Sequence, residues 1–96
     1  MKVNIHTIAY PFVPGLYGIA QYINREISTK WGGLTEYQNT TGIYKDTIEP
    51  VHVYVCYVPT EKDDMSWWHL FCHEIKIRGS QSEVHHLVTE GWLEII

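Results

Sequence analysis

The sequence has no cluster of basic residues. Its 96 residues contain seven Lys and Arg against eleven Asp and Glu, and the formal net charge is −4 when the histidines are neutral. A protein that binds the phosphate backbone of a nucleic acid needs a basic patch or stripe. We therefore expect no nucleic-acid partner.

Long apolar runs are absent as well. No stretch approaches the roughly 20 apolar residues that cross a membrane as a helix, and the segment MKVNIHTIAY lacks the pattern of a signal peptide. Cysteine is scarce, because only Cys56 and Cys72 occur, each inside an apolar segment. We expect two reduced, buried thiols, no membrane partner and a cytoplasmic location.

A complete set of metal ligands and a glycine-rich phosphate loop are also missing. His69 and His73 are four residues apart in a predicted helix, and two histidines at that spacing can share a metal ion. Glu74 points about 100° away from His73, however, so no third ligand joins them. His85 and His86 are neighbours in a predicted strand and face opposite ways. The sequence thus predicts neither a metal site nor a cofactor.

The composition that remains is that of one globular domain, residues 1–96, with 45% hydrophobic and 19% charged residues. Apolar–polar alternation predicts strands at 2–10, 34–45, 51–58 and 83–88, and helical periodicity predicts helices at 16–31 and 66–78. Residues 46–50, DTIEP, are interpreted as a turn. This order predicts an α+β fold, the ferredoxin-like βαββαβ sandwich, in which two helices cover one face of a four-stranded antiparallel sheet.

The sheet face without helices is predicted to be half apolar. We place the valines of the third strand toward the helices, and the intervening residues, together with alternate residues of the first strand, on the open side: His52, Tyr54, Cys56, Asn4, His6 and Ile8. Such a face is typical of subunit packing, with a ligand-lined face or a plain monomer surface as the alternatives. We predict a homo-oligomer, a trimer.

The stretch TGIYKDTIEPVHVYV, residues 41–55, carries the predicted functional site. Glu49 precedes Pro50, which holds its backbone extended. A carboxylate fixed there beside the phenol of Tyr44 orients a cationic or hydroxyl-bearing ligand. We predict that Glu49 and Tyr44 are catalytic, and that four further residues bind the ligand: Lys45, Asp46, His52 and Tyr54. The alternative is a polar turn with a tethered tyrosine.

Three families share parts of this pattern. Gly33, Thr35, Gly42, Tyr44, Glu49, Pro50 and Gln81 resemble a pattern in a family of small bacterial and phage proteins, over roughly two-thirds of the chain; that resemblance implies a ferredoxin-like fold and no known activity. The layout, with Tyr44-Lys45 before the third strand, is also similar to trimeric nitrogen-regulatory and copper-tolerance type proteins. That likeness implies ligand sites at subunit boundaries.

The third resemblance concerns chemistry. Thr41-Gly42, Tyr44, Lys45 and Asp46, followed by Glu49 and the alternating valines, resemble a turn of phage S-adenosylmethionine lyases. It implies that Tyr44 and Glu49 hold and polarise that substrate at a subunit boundary.

Three functions therefore remain open. The first is an oligomeric protein of phage or mobile-element type that binds a small molecule, S-adenosylmethionine-like or a nucleotide, at a subunit boundary. The second is an S-adenosylmethionine lyase. The third is a phage anti-defence protein that binds and blocks a host protein, which the acidic charge and the Trp67-Trp68 pair favour.

Overall fold

The chain forms a single antiparallel sheet and two α-helices. The computed structural model describes residues 1–11, 17–44 and 46–96. Its elements, in chain order, are β1 (Lys2–Pro11), α1 (Tyr17–Trp31), β2 (Thr35–Tyr44), β3 (Thr47–Pro59), a 3-10 turn (Thr60–Lys62), α2 (Met65–Arg78) and β4 (His85–Trp92). Strand neighbours follow the order β2-β3-β1-β4, and β1 is antiparallel to both β3 and β4. No helix in these ranges is long and apolar enough to span a membrane.

The second helix begins and ends at residues suited to those positions. The Asp64 carboxylate accepts a hydrogen bond from the Trp67 amide at 3.2 Å, so it satisfies one of the amides that a first helical turn leaves unpaired. At the other end, the amide of Gly79 donates to the carbonyl of Ile75 at 3.1 Å.

The core lies between the helices and one sheet face. β1 and β3 contribute Ile8, Tyr10, Tyr54, Cys56 and Val58, α1 contributes Ile23 and Ile27, and α2 contributes Trp68, Phe71 and Ile75. The predicted orientation of the strands is therefore wrong: Tyr54, Cys56, His6 and Ile8 face the helices. The sequence was ambiguous because β3 is apolar on both faces, and a shift of one residue exchanges those faces.

The opposite side of the sheet, here called the open face, carries the other set of residues. They include Ile5, Thr7, Ala9, Tyr37, Val53, Val55, Tyr57, His85, Leu87 and Thr89, as the strand registers show, and Glu49 lies on the same side of β3, two residues before Val51. Tyr37, Tyr57 and Leu87 are 52%, 46% and 61% exposed. Of the two adjacent histidines, His85 and His86, the register places His85 on this face.

Two element boundaries also differ from the prediction. Residues 47–50 belong to β3 instead of a turn, and β4 runs to Trp92. Among the described residues, the last β1 partner of β3 is Pro11, opposite Val51, so Pro50 pairs only with Thr41 of β2 and no described strand needs its amide on the other side. The β2–β3 hairpin thus continues past the end of β1.

Candidate functional site

A buried carboxylate lies at the junction between the 3-10 turn and α2. The Asp63 side chain is only 4% exposed, and its two oxygens accept four hydrogen bonds. Oδ2 accepts from the Asn4 amide and from a ring nitrogen of His6, both at 2.7 Å. Oδ1 accepts from the Asp64 amide at 2.9 Å and from the Trp68 indole at 3.1 Å. These donors hold Asp63 in its charged form and fix its orientation.

His6 connects this carboxylate to a second histidine. It sits on β1, two residues after Asn4 and on the same face, and its ring stacks on Trp68 with centroids 4.0 Å apart. Its Nε2 lies 2.7 Å from Asp63 Oδ2, and its Nδ1 lies 2.8 Å from Nε2 of His86. Both ring nitrogens of this fully buried imidazole are therefore engaged.

The strand register brings His86 to this position. His6 pairs with Val88 and Ile8 pairs with His86 across the β1–β4 ladder, so the two histidines are diagonal neighbours on the helix-facing side. Aromatic side chains reach across such a diagonal. Asp63, His6 and His86 thus form a continuous hydrogen-bonded chain, which we call the Asp63–His6–His86 relay.

The charges of the relay determine its tautomers. Burial alone would raise the pKa of the Asp63 carboxyl. The hydrogen bonds from Asn4 and His6 and the charge of His6 outweigh burial, so the pKa of Asp63 lies below its ordinary value. Burial lowers the pKa of His6 despite the contacts with Asp63. Burial and then the charge of His6 lower the pKa of His86. At neutral pH the chain therefore consists of an anionic carboxylate and two neutral imidazoles.

With both imidazoles neutral, one arrangement of protons satisfies these contacts. Asp63 is an acceptor, so His6 must donate from Nε2, and its Nδ1 is then the unprotonated nitrogen. That nitrogen accepts from His86, which carries its own proton on Nε2. Nδ1 of His86 is left as a basic lone pair, oriented and supported through two hydrogen bonds by a buried negative charge.

His86 lines a cavity of about 360 Å³ between α2 and the start of β4. The α2–β4 cavity is lined by Met65, His69, Cys72, His73, Lys76, Glu83, Val84 and His86. Its volume falls within the usual range for small-molecule sites. The helix residues recur every three or four positions, so one side of α2 forms one wall.

Cys72 lies in this cavity but is not an activated thiol. It is half-buried, and burial raises its pKa to about 11. Cys56 is fully buried in the core, and burial and then the charge of Asp63 raise its pKa to about 11. Both cysteines are free, as predicted. Neither has the lowered pKa that nucleophilic thiols show.

Glu49, one of the two residues predicted as catalytic, does not line the α2–β4 cavity. Glu49 is half-buried and pairs with Gly42 across the hairpin. It lines a separate cavity of about 330 Å³, to which Gln81 and His85 also contribute. Asp46 is exposed in the turn. Lys45 and the side chain of Tyr44 lie outside the described residues. The catalytic and binding roles proposed for these residues stay predictions.

His52 and Tyr54 are placed differently from the prediction. The Tyr54 ring is 2% exposed within the core, so it does not lie on the open face. Its hydroxyl is 3.5 Å from Nδ1 of His52, and the same nitrogen is 3.1 Å from a carboxylate oxygen of Glu36. The two residues belong to a small polar cluster at the β2–β3 side of the molecule. Their ligand-binding role stays a prediction.

The sequence contains one signal for the relay. Asn4 and His6 alternate with Val3 and Ile5 on a strand whose other even-numbered residues, Ile8 and Tyr10, are core residues. A histidine at a core position needs a buried partner. That requirement points to a carboxylate elsewhere, although the sequence cannot identify it as Asp63.

The comparisons with family models, curated proteins and solved structures found no match to this chain, and the three family resemblances stay predictions. In the described ranges, no three His, Cys, Asp or Glu side chains are grouped so that they could hold a metal ion.

Proposed function

We propose that this protein binds a small anionic molecule in the α2–β4 cavity and transfers a proton on it, with His86 as the general base. The observation that carries the proposal is the Asp63–His6–His86 relay, whose last member, His86, lines the cavity. A base held in one tautomer by an oriented carboxylate is a recurring feature of enzymes that transfer protons.

The lining of the cavity supports an anionic ligand. Lys76 provides a cation, and His69 and His73 provide hydrogen-bond donors, against the single carboxylate of Glu83. A phosphate or carboxylate group bound near Lys76 would leave the rest of the molecule beside His86. Of the two ligand classes expected from the sequence, a nucleotide suits this lining better than the S-adenosylmethionine cation.

The chemistry follows from the protonation of the relay. His86 accepts a proton from the ligand, or from a water molecule beside it, at Nδ1 and becomes an imidazolium. The negative charge of Asp63 stabilises this cation through the His6 ring, which lies between them. The thiol of Cys72 stays protonated, so the proposal involves no covalent intermediate on it.

We also propose that the chain has the ferredoxin-like βαββαβ sandwich fold. The element order and the strand order β2-β3-β1-β4 support this assignment, since that layout places the first and last strands side by side. The same arrangement brings His6 and His86 together.

A purely structural role for the network is the main alternative, because Asp63 also connects the start of α2 to β1. Isothermal titration calorimetry with AMP, ATP and S-adenosylmethionine, repeated in two buffers of different ionisation enthalpy, separates the two roles. The wild-type protein should bind a nucleotide with proton uptake from the buffer, because an anion bound beside His86 favours the imidazolium form of that residue. The His86→Gln variant should fold but lose that uptake, and any turnover should fall at least about 100-fold.

His85→Gln is the matched control, since it removes a neighbouring histidine that faces the other side of the sheet. It should keep both binding and proton uptake. Loss of proton uptake in both variants, or binding by His86→Gln that is indistinguishable from the wild type, would leave only the structural role.

A further inference from the structure

The wall of the α2–β4 cavity changes in character along the helix. Met65 is the first residue of α2, and Lys76 lies in its last turn. Both line the cavity, with His69 and His73 between them. Met65 and Lys76 are eleven positions apart, which is about 16 Å at a rise of 1.5 Å per residue. The cavity is therefore long, with a thioether at one end and an ammonium group at the other.

The end that carries Lys76 suits an anion. Lys76 is half-buried, and in the part of the chain that the structure describes no carboxylate forms an ion pair with it. The carboxylate of Glu83 contacts His85 instead, at 3.1 Å. The backbone carbonyl of Lys76 accepts a hydrogen bond from the amide of Gln81 at 2.9 Å, so it presents less negative charge to a bound anion than a free carbonyl would.

His86 lies away from that end. Its ring stacks on Trp68 with centroids 5.4 Å apart, and Trp68 precedes Lys76 by eight residues, about 12 Å along the helix. The flexible stem of Lys76 leans towards the start of α2, so it shortens this separation without closing it. A ligand whose anionic group is held by Lys76 therefore meets His86 with a part that is several bonds away from the anion.

The stretch between Met65 and His73 suits a flat ring. The rings of His69 and His73 contact each other with centroids 4.6 Å apart, and Met65 precedes His69 by one helical turn. Thioethers and aromatic ring faces both pack favourably against an aromatic ring. Met65 is 50% exposed, so its unbranched side chain has room to adjust over a ligand. A nucleobase matches this end of the cavity.

We propose that the substrate is a nucleoside monophosphate whose phosphate binds at Lys76 and whose base, packed against Met65 and His69, is the part that reacts at His86. This inference rests on the proposed function and adds the class of substrate. The proton moves from the base, or from a water molecule beside it, to Nδ1 of His86, and the bonding electron pair stays on the atom that loses the proton. Sugar phosphates are excluded, because they are too short to extend from Lys76 past His69.

Calorimetric titrations with inorganic phosphate, ribose 5-phosphate and AMP test the length of the site. AMP should bind at least about tenfold more tightly than ribose 5-phosphate, since packing of one base contributes about that much. Met65→Gln should remove most of that advantage and leave the affinity for ribose 5-phosphate unchanged. Lys76→Gln should weaken both by about tenfold or more. Leu70→Gln is the matched control, because Leu70 is an exposed apolar residue of α2 that is not among the lining residues.

The two methionines of the chain allow a test of orientation. In protein with ¹³C-labelled methionine methyl groups, AMP should shift the NMR signal of Met65 and not that of Met1, which does not line the cavity. Ribose 5-phosphate should shift neither signal. Met65→Gln identifies the Met65 signal by its loss, and Met1 serves as a control within the same spectrum.

Failure of this inference is distinguishable from failure of the proposed function. If ribose 5-phosphate binds as tightly as AMP, or if AMP leaves the Met65 signal in place, the substrate class is wrong, whereas proton uptake that depends on His86 still supports the general base. If none of the three compounds binds, or if His86→Gln binds AMP with the affinity and proton uptake of the wild type, the proposed function is wrong and the substrate class is overturned with it.

Discussion

Asp63 and Asp64 are adjacent carboxylates with different roles. Asp63 accepts four hydrogen bonds in the interior, and Asp64 accepts one at the exposed start of α2. Asp63→Asn should reduce the unfolding free energy by about 1.5–3 kcal/mol, because an amide has one acceptor oxygen whereas every partner of Asp63 donates. Urea denaturation measures this change.

Asp64→Asn is the control for that substitution. Asn caps a helix about as well as Asp, so the unfolding free energy should change by no more than about 0.5 kcal/mol. Equal effects of the two substitutions would mean that the Asp63 network does not differ in strength from an ordinary cap.

The relay also predicts sensitivity to acid. The pKa values of His6 and His86 are lowered in the folded protein, so the unfolded chain takes up protons first as the pH falls below about 6.5. The unfolding free energy should therefore decrease from pH 7 towards pH 5. Asp63, whose folded pKa is also lowered, adds stability above the unfolded value of about 3.9, and that stability is lost as the pH falls through the folded pKa.

Denaturation curves at several pH values measure this slope. His86→Gln should make the slope between pH 7 and pH 5 shallower, and His73→Gln, an exposed position on α2, is the control for loss of a surface imidazole. A slope that is identical in His86→Gln and in the wild type would contradict the assignment of the lowered pKa to His86.

At the scale of the elements, Gly79 fixes how closely α2 approaches β1. The Tyr10 hydroxyl donates to the Ile75 carbonyl at 2.8 Å, and a Cβ atom on Gly79 would lie 1.6 Å from that hydroxyl oxygen. Gly79→Ala should therefore destabilise the protein by about 1–3 kcal/mol through overpacking. Thermal denaturation is a sufficient measurement.

Two comparisons make that prediction specific. Tyr10→Phe combined with Gly79→Ala should cost less than the sum of the single changes, since removing the hydroxyl removes the closest contact. Gly18→Ala, in the first turn of α1 and with no described atom within 4 Å of the added Cβ, should be neutral or stabilising by about 0.5 kcal/mol. Strict additivity at positions 10 and 79 would show that the contact is not limiting.

The sequence predicted these elements better than their orientation. Strong periodicity placed both helices and the central strands within a few residues of their observed bounds. Orientation failed at β3 because Val53 and Val55 alternate with Tyr54 and Cys56, so neither face is polar. The hydrophobic pattern alone therefore does not distinguish the faces.

The candidate site was less predictable for a different reason. His6 is 57 positions from Asp63 and 80 positions from His86 in the sequence. Only the β1–β4 register and the position of α2 bring the three residues together. Local chemistry suggested Glu49, because Pro50 marks that residue in the sequence. The alternation of β1 offers a signal that His6 is a core residue, but it does not identify Asp63 and His86 as partners, because those contacts form only in the folded chain.

At the scale of the whole molecule, stability should be concentrated in β1. This strand is paired on both sides, with β3 along one edge and β4 along the other, and it carries core residues along its length. In the part of the chain that the structure describes, the β2–β3 hairpin beyond Pro50 is paired only within itself, and Ile43 and Ile48 are about 70% exposed there. Amide hydrogen exchange should be slowest in β1 and fast in residues 41–49.

Exchange measured by NMR checks this order residue by residue. Amides of β1 should exchange only through global unfolding, so their protection should follow the unfolding free energy measured with urea. Slower exchange in β4, an edge strand, than in β1 would contradict the predicted distribution.

The pairing of β1 with β4 has a consequence for synthesis on the ribosome. The Met1 amino group donates to the Leu93 carbonyl at 2.6 Å, so the two strands that pair are separated by most of this chain. A nascent chain that has emerged only through α2 already contains Asp63 and His6 but has no strand to supply His86. The helices and the β2–β3 hairpin are able to form earlier, whereas the relay is completed only after β4 leaves the exit tunnel. Translation that stops before residue 86 therefore yields a product that lacks the proposed general base.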